Sequence, residues 1–198
     1  KKITTIFLSL VVVLSSLNPV LNISAIENTL EGSGTKESPW LISDAEDFVV
    51  MSNLINSDPL FADDYYQMTN DIDFSGVTMT AIGKNNHFSG VFDGQLYAVK
   101  NLTINDTSEN TGLFAFVENG TIKNLGIISS SITGGKKVGA IAGRTMYATF
   151  TNCYSKATVS GTNDVGGIVG MFNSSVMNNC YSFASVTSSA EAGGVAGS

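Results

Sequence analysis

Four glycine-centred phrases, Thr111-Gly112-Leu113-Phe114-Ala115, Val138-Gly139-Ala140-Ile141-Ala142-Gly143, Val165-Gly166-Gly167-Ile168-Val169-Gly170 and Ala192-Gly193-Gly194-Val195-Ala196-Gly197, follow one another at 27-residue intervals. A second phrase keeps the same beat: Thr151-Asn152-Cys153-Tyr154-Ser155 returns as Asn178-Asn179-Cys180-Tyr181-Ser182, and Lys123-Asn124-Leu125-Gly126 fills that slot one repeat earlier. A constant period of this size marks a solenoid, in which each unit can bury its apolar residues only against its neighbours. The segments between glycines, such as Thr121 to Ser131 and Cys153 to Ser160, are short and rich in Ile, Val, Thr and Tyr. They carry no helical stretch, which excludes the helical repeats. A 27-residue unit has room for three strands of roughly five residues with their turns. One repeat is therefore one full coil, and the expected class is all-β, a parallel β-helix.

In-register stacking requires length changes to fall in turns. From Gly112 to Ile122 is 10 residues, whereas Gly139 to Phe150 and Gly166 to Met177 are 11, which assigns the shorter segment to the turn from Phe116 to Gly120. Three inward columns follow: Phe114, Ile141, Ile168 and Val195; Ile122, Phe150 and Met177; Leu125, Cys153 and Cys180. Between the last two stand Asn124, Asn152 and Asn179, whose amides are placed to hydrogen-bond from coil to coil at a bend. With Cys153 and Cys180 inward, as two buried free thiols, strand alternation turns Tyr154 and Tyr181 outward beside the gap left by Gly126. These two tyrosines are the candidate binding face.

The glycine phrases and the recurring Asn-Cys-Tyr-Ser resemble the bacterial GLUG repeat of secreted and cell-surface proteins, including N-terminal regions of some immunoglobulin-A-cleaving metallopeptidases. Gly34-Thr35-Lys36-Glu37-Ser38-Pro39-Trp40-Leu41-Ile42 and Phe88-Ser89-Gly90-Val91-Phe92-Asp93-Gly94 look like that family's lead-in. The usual Asp-Gly-Asn-Gly-His is Asp93-Gly94-Gln95-Leu96-Tyr97 here, and the first Gly-Leu-Phe-Gly ends in Ala115. The resemblance implies a right-handed, single-stranded β-helix on a surface protein and no single reaction.

Lys1 and Lys2 precede an apolar run from Ile6 to Leu14 that continues nearly to Val20, with Ser24 and Ala25 before the first acidic residue, Glu27. This reads as a signal peptide over 1–25. Ser15, Ser16, Asn18 and Pro19 interrupt the run, leaving it short of the roughly 20 apolar residues of a membrane span. Residues 26–64 read as a lead-in strand, Trp40-Leu41-Ile42, and a helix opened by a Ser43/Glu46 capping box and running to about Ile55. Its stripe of Phe48, Met51, Leu54 and Ile55 suits a cap over the first coil, whose strand edges are otherwise unpaired. Tyr65 to Phe74, Thr78 to Ile82, Phe88 to Phe92 and Ala98 to Asn105 read as strands of less regular coils. The β-helix spans 65–198, and because Ala192 to Ser198 opens a coil without completing it, the expectation is of an incomplete C-terminal end.

The net charge of -7 argues against nucleic acid and anionic membrane partners. Asp71, Asp73 and Asp93 invite comparison with calcium-holding carboxylates of β-helix polysaccharide lyases, but the repeats supply only Arg144 and scattered lysines as partners, so strand-terminating turn bonds are the better reading. His87 is the single histidine, so a His-based triad or multi-histidine zinc site has no second member. The glycine phrases lack the Lys-Ser/Thr and the helix of phosphate-binding loops. No cofactor is expected. The expected function is a non-catalytic secreted or cell-surface module, a stalk or adhesive surface whose partner is a surface glycan or a host or bacterial surface protein. The alternatives are a β-helix carbohydrate-active enzyme or the N-terminal region of a surface peptidase, although no His-Glu-x-x-His occurs.

Overall fold

A computed structural model describes residues 30–198; the leader expected at 1–25 lies outside them. The described residues are mostly β, with one α-helix and four parallel sheets among them. A six-stranded sheet takes Trp40–Ile42, Tyr65–Met68, Val91–Asp93, Thr121–Lys123, Thr149–Thr151 and Val176–Asn178 in that order. Each later repeat also contributes to a sheet through Gly126–Gly134 and Tyr154–Gly161, to one through Lys136–Gly139 and Asn163–Gly166, and to one through Ala142–Met146 and Val169–Asn173. The chain thus returns to the same sheets once per repeat, and every strand pairing is parallel.

The column through the six-stranded sheet runs Trp40, Tyr66, Phe92, Ile122, Phe150 and Met177. Tyr66, Phe92, Ile122 and Phe150 are buried, because a strand that places one residue of every pair inward gives each repeat the same core position. The Leu125, Cys153 and Cys180 column also forms, although Cys180 is only half-buried, unlike Cys153.

The expected Phe114 column is off by one residue. Thr111 bridges Val138, but Phe114 pairs with Ala142, which in turn pairs with Val169. The extra residue of the second repeat therefore lies at the bend holding Ala140 and Ile141, and not in the turn from Phe116 to Gly120. The first repeat regains that residue at a bulge where Ser129 and Ser130 stand opposite Ala157. Ser129 takes φ 50° there, as the extra residue of a bulge must leave the extended region. Between the second and third repeats the offset stays at 27, from Ala142↔Val169 through Val165↔Ala192.

The helix spans Ala45–Ser57, with Asp44 rather than Ser43 as N-cap. Asp44 accepts from the Asp47 amide, and the Asp47 carboxylate accepts from the Ser43 amide and hydroxyl. An aspartate satisfies the free amides and also sits well at the positive end of the helix dipole, so it outcompetes the serine. Phe48, Met51 and Ile55 are buried, joined by Val50, whereas Leu54 is only half-buried. The Phe48 ring lies 5.6 Å from both Phe74 and Phe92, so the helix closes over the core of the first strands. Thr78 to Ile82, expected as a strand, runs irregularly and makes a single bridge from Ile82 to Phe114. Its carbonyls at Thr80 and Ala81 are taken by Ser52 and Asn56 of the helix, which supplies the bonds a strand partner would otherwise make.

Candidate functional site

Asn124, Asn152 and Asn179 close successive repeats at one corner, each in the left-handed region at φ 55°, 54° and 52°. Asparagine tolerates that conformation better than other side-chain-bearing residues, because its short polar side chain can bond locally. The corner brings the three amides into one chain of hydrogen bonds. Asn179 Nδ2 donates to Asn152 Oδ1 at 2.7 Å, Asn152 Nδ2 donates to Asn124 Oδ1 at 2.9 Å, and Asn124 Nδ2 donates to Asp93 Oδ1 at 2.9 Å. Asp93 anchors the ladder and is held in turn by Lys123 Nζ at 2.8 Å and the Gln95 amide at 2.9 Å. Burial pushes the Asp93 carboxyl up, but the bonds from Lys123, Asn124 and Gln95 outweigh it and hold the group below the usual carboxylate range. A carboxylate at the foot of a one-directional amide chain polarises every bond above it.

Beside the ladder, Tyr154 and Tyr181 stack with ring centroids 5.4 Å apart and planes within 9°. Gly126 leaves no open gap there: a Cβ on it would meet Tyr154 Cζ at 2.4 Å, so the ring itself lies over the glycine. Burial, then the neighbouring Tyr181 and Asp71, push the Tyr154 hydroxyl up, further from neutral pH, where a phenol is already protonated and a donor. Tyr181 is 49% exposed and meets the edge of Phe183, whose ring is 72% exposed, at 5.6 Å. Leu96, Asn124, Asn152, Tyr154, Asn179 and Tyr181 line a shallow recess of about 350 Å³. The eight positions singled out from the sequence therefore divide. The asparagines and tyrosines share the recess, while Leu125 and Cys153 are buried in the core and Cys180 is half-buried, outside the lining. Phe183 and Leu96 were not anticipated. Phe183 has no aromatic counterpart at its repeat position, and Leu96 shows its meaning only through its backbone angle.

The two cysteines are free, with the Cys153 amide donating to Cys180 Sγ at 3.4 Å. The Cys153 thiol, bonded to Cys180 and buried, is pushed up; the same bond pulls Cys180 down. Asp71 accepts from the Ala98 amide and pairs with Lys100, and Asp73 accepts from Ser75 and Asn101. Asp73 bonds its own turn through Ser75, as Asp93 does through Gln95, whereas Asp71, expected to do the same, bonds the strand of the next repeat. His87 Nδ1 lies 3.0 Å from Glu118 Oε2, its ring 4.0 Å from Phe116, while the Arg144 guanidinium lies 4.6 Å from the same phenyl ring.

No protein-family model matches the chain. Halomucin of Haloquadratum walsbyi is 32% identical over 146 residues, which are 68% of this chain and 2% of that protein. A candidate Gly-rich membrane protein of Evansella cellulosilytica is 33% identical over 111 residues, 52% of this chain and 12% of its own length. The chain thus spans a small fraction of the relatives it matches. Among solved structures, a candidate immunoglobulin A1 protease from Bacteroides ovatus superposes with a TM-score of 0.63 at 22% identity, over 86% of this chain and 64% of that one. At that identity the likeness is one of fold. No helix among the described residues is long and apolar enough to cross a membrane.

Proposed function

We propose that the chain is a right-handed, single-stranded parallel β-helix of the GLUG-repeat kind, capped by its helix over 45–57, serving as a non-catalytic secreted or cell-surface module. It acts as a rigid stalk that presents one corner to a surface partner. What carries this reading is the return of the chain to the same parallel sheets at 27-residue offsets from Ala142 to Ala192, which stacks identical corners in a line. Such a shape binds by repetition of a surface rather than by convergence of catalytic groups. The similarity to halomucin and to a Gly-rich membrane protein supports a place at the cell surface, in keeping with the signal peptide expected over 1–25.

The structural likeness to an immunoglobulin A1 protease candidate favours a second reading, the non-catalytic region of a surface peptidase. Catalysis would then belong to other parts of a longer protein, since this chain holds one histidine. Protease shaving of intact cells of the source organism, followed by peptide mapping, tests the placement; release of peptides from 65–198 is expected. Retention of the chain inside the cell, or hydrolysis of a polysaccharide by the purified chain, would overturn the proposal. Cleavage of immunoglobulin A1 by the longer protein but not by this chain would select the second reading.

A further inference from the structure

We propose that the recess beside the asparagine ladder binds a neutral oligosaccharide, and that Leu96 is its specificity-determining contact; this rests on the surface-module reading. The lining of Leu96, Asn124, Asn152, Tyr154, Asn179 and Tyr181 carries no formal charge. Each ladder asparagine commits one N–H, and a carboxamide has two, so each retains a donor for a ligand. The Oδ1 of Asn124 and of Asn152 is engaged, which leaves Asn179 Oδ1 as the open acceptor at the head of the chain. Tyr154 adds a neutral hydroxyl, and the exposed rings of Tyr181 and Phe183 add rigid aromatic surface. Spaced amide donors with aromatic carbon beside them match the hydroxyls and C–H faces of sugar rings. Two-torsion aromatic side chains also lose little entropy on binding. A carboxylated or sulfated glycan would want a cation in the recess; Lys100 and Lys123 are engaged by Asp71 and Asp93, and Lys156, whose ammonium lies 5.7 Å over the Phe183 ring, is not among the residues that line it.

Leu96 is the independent observation. Gln95 and Leu96 take φ 52° and 69° in succession, a turn that asparagine and glycine occupy with least strain. Among the described residues, most of those forced to positive φ are Asn, Asp or Gly; Leu96 is the one aliphatic residue there. Its side chain is 74% exposed at the mouth of the recess, so packing within the free protein returns little for that strain. A strained position whose side chain projects into water is understood when the side chain meets something else.

The two properties separate in one variant. Leu96→Gly relieves the turn and removes the contact, so it should raise the melting temperature of the full chain by a few degrees and weaken binding roughly tenfold. Tyr181→Ser should weaken binding with a smaller thermal effect. The probes are immobilised hexasaccharides of glucose, mannose, galactose and N-acetylglucosamine, α- and β-linked, with heparin as the polyanionic comparator. Saturable binding to at least one neutral hexasaccharide, weakened roughly tenfold in Leu96→Gly while that variant's melting temperature rises, is the expected result. Absence of binding to every neutral probe, binding to heparin alone, or unchanged affinity in Leu96→Gly would overturn the inference. So would a lower melting temperature for that variant. If the chain is shaved from intact cells and yet binds no neutral probe, this inference falls while the surface reading stands.

Discussion

Asn152 is the residue at which the ladder can be weighed. Its amide donates to Asn124 and accepts from Asn179, and its backbone sits at φ 54°. Two terms are therefore lost in Asn152→Ala. The two side-chain hydrogen bonds are exposed, so each belongs at the low end of the net range, about 0.5 kcal/mol. Alanine in the left-handed region adds about 1 kcal/mol. The sum is about 2 kcal/mol, a fall in melting temperature of about 4–8 °C for a chain of this size. Asn152→Gly keeps the backbone conformation and loses only the bonds, so it should cost about 1 kcal/mol. Urea titrations of both variants, with equal slopes required for the comparison, measure the two terms separately. The reasoning is refuted if the glycine variant is as unstable as the alanine variant, since the conformational term would then vanish, or if neither differs from the parent.

Three further outcomes are expected. Ser155 is fully buried with an unpartnered hydroxyl, in line with Val99 and Ile127 of the preceding repeats, so Ser155→Ala should stabilise by about 1 kcal/mol; a destabilised variant would mean that the hydroxyl has a partner. Asp106 is held down to about 2, first by Lys84 and then by Ser108, and Asp71, Asp73 and Asp93 are also lowered. Depressed carboxyls stabilise the fold above their unfolded values near 4 and lose that contribution as the pH falls toward 2, so the urea midpoint should drop across that window and Lys84→Met should flatten part of the drop; a midpoint constant from pH 5 to 2 would refute this. Cys180, half-buried and pulled down by its bond from Cys153, should take up iodoacetamide in the native protein while Cys153 reacts only after unfolding; equal native reactivity, or no thiol in the unfolded protein without reductant, would contradict it.

Much of the fold was legible because period and strand alternation are properties of residue spacing. The Ile122, Phe150, Met177 column and the asparagine corner follow from counting, once one residue of each pair faces inward. Register at Phe114 was not legible in the same way. Aligning glycine phrases assumes that equal letters occupy equal backbone positions, and the bend at Ala140 and Ile141 holds one residue more than the bend at Leu113. Only the hydrogen-bonded ladder decides which residue is the extra one. The helix start was misread for a related reason: Ser43 and Asp44 both fit the N-cap by type, and the choice is made by where the carboxylate of Asp47 can reach.

The candidate site was legible only where it is also structure. Asn152 and Tyr154 recur because a stacked fold reuses each corner, so their repetition by itself speaks for stability, and substituting either should disturb folding and binding together. Leu96 has no counterpart in later repeats, where asparagine closes the corner; its place shows through the bond from its amide to the Asn124 carbonyl. It works against the turn that holds it, so its effect on folding and its effect on binding have opposite signs. That opposition is what repetition cannot produce, and it makes one unrepeated leucine more informative about function than the three asparagines beside it.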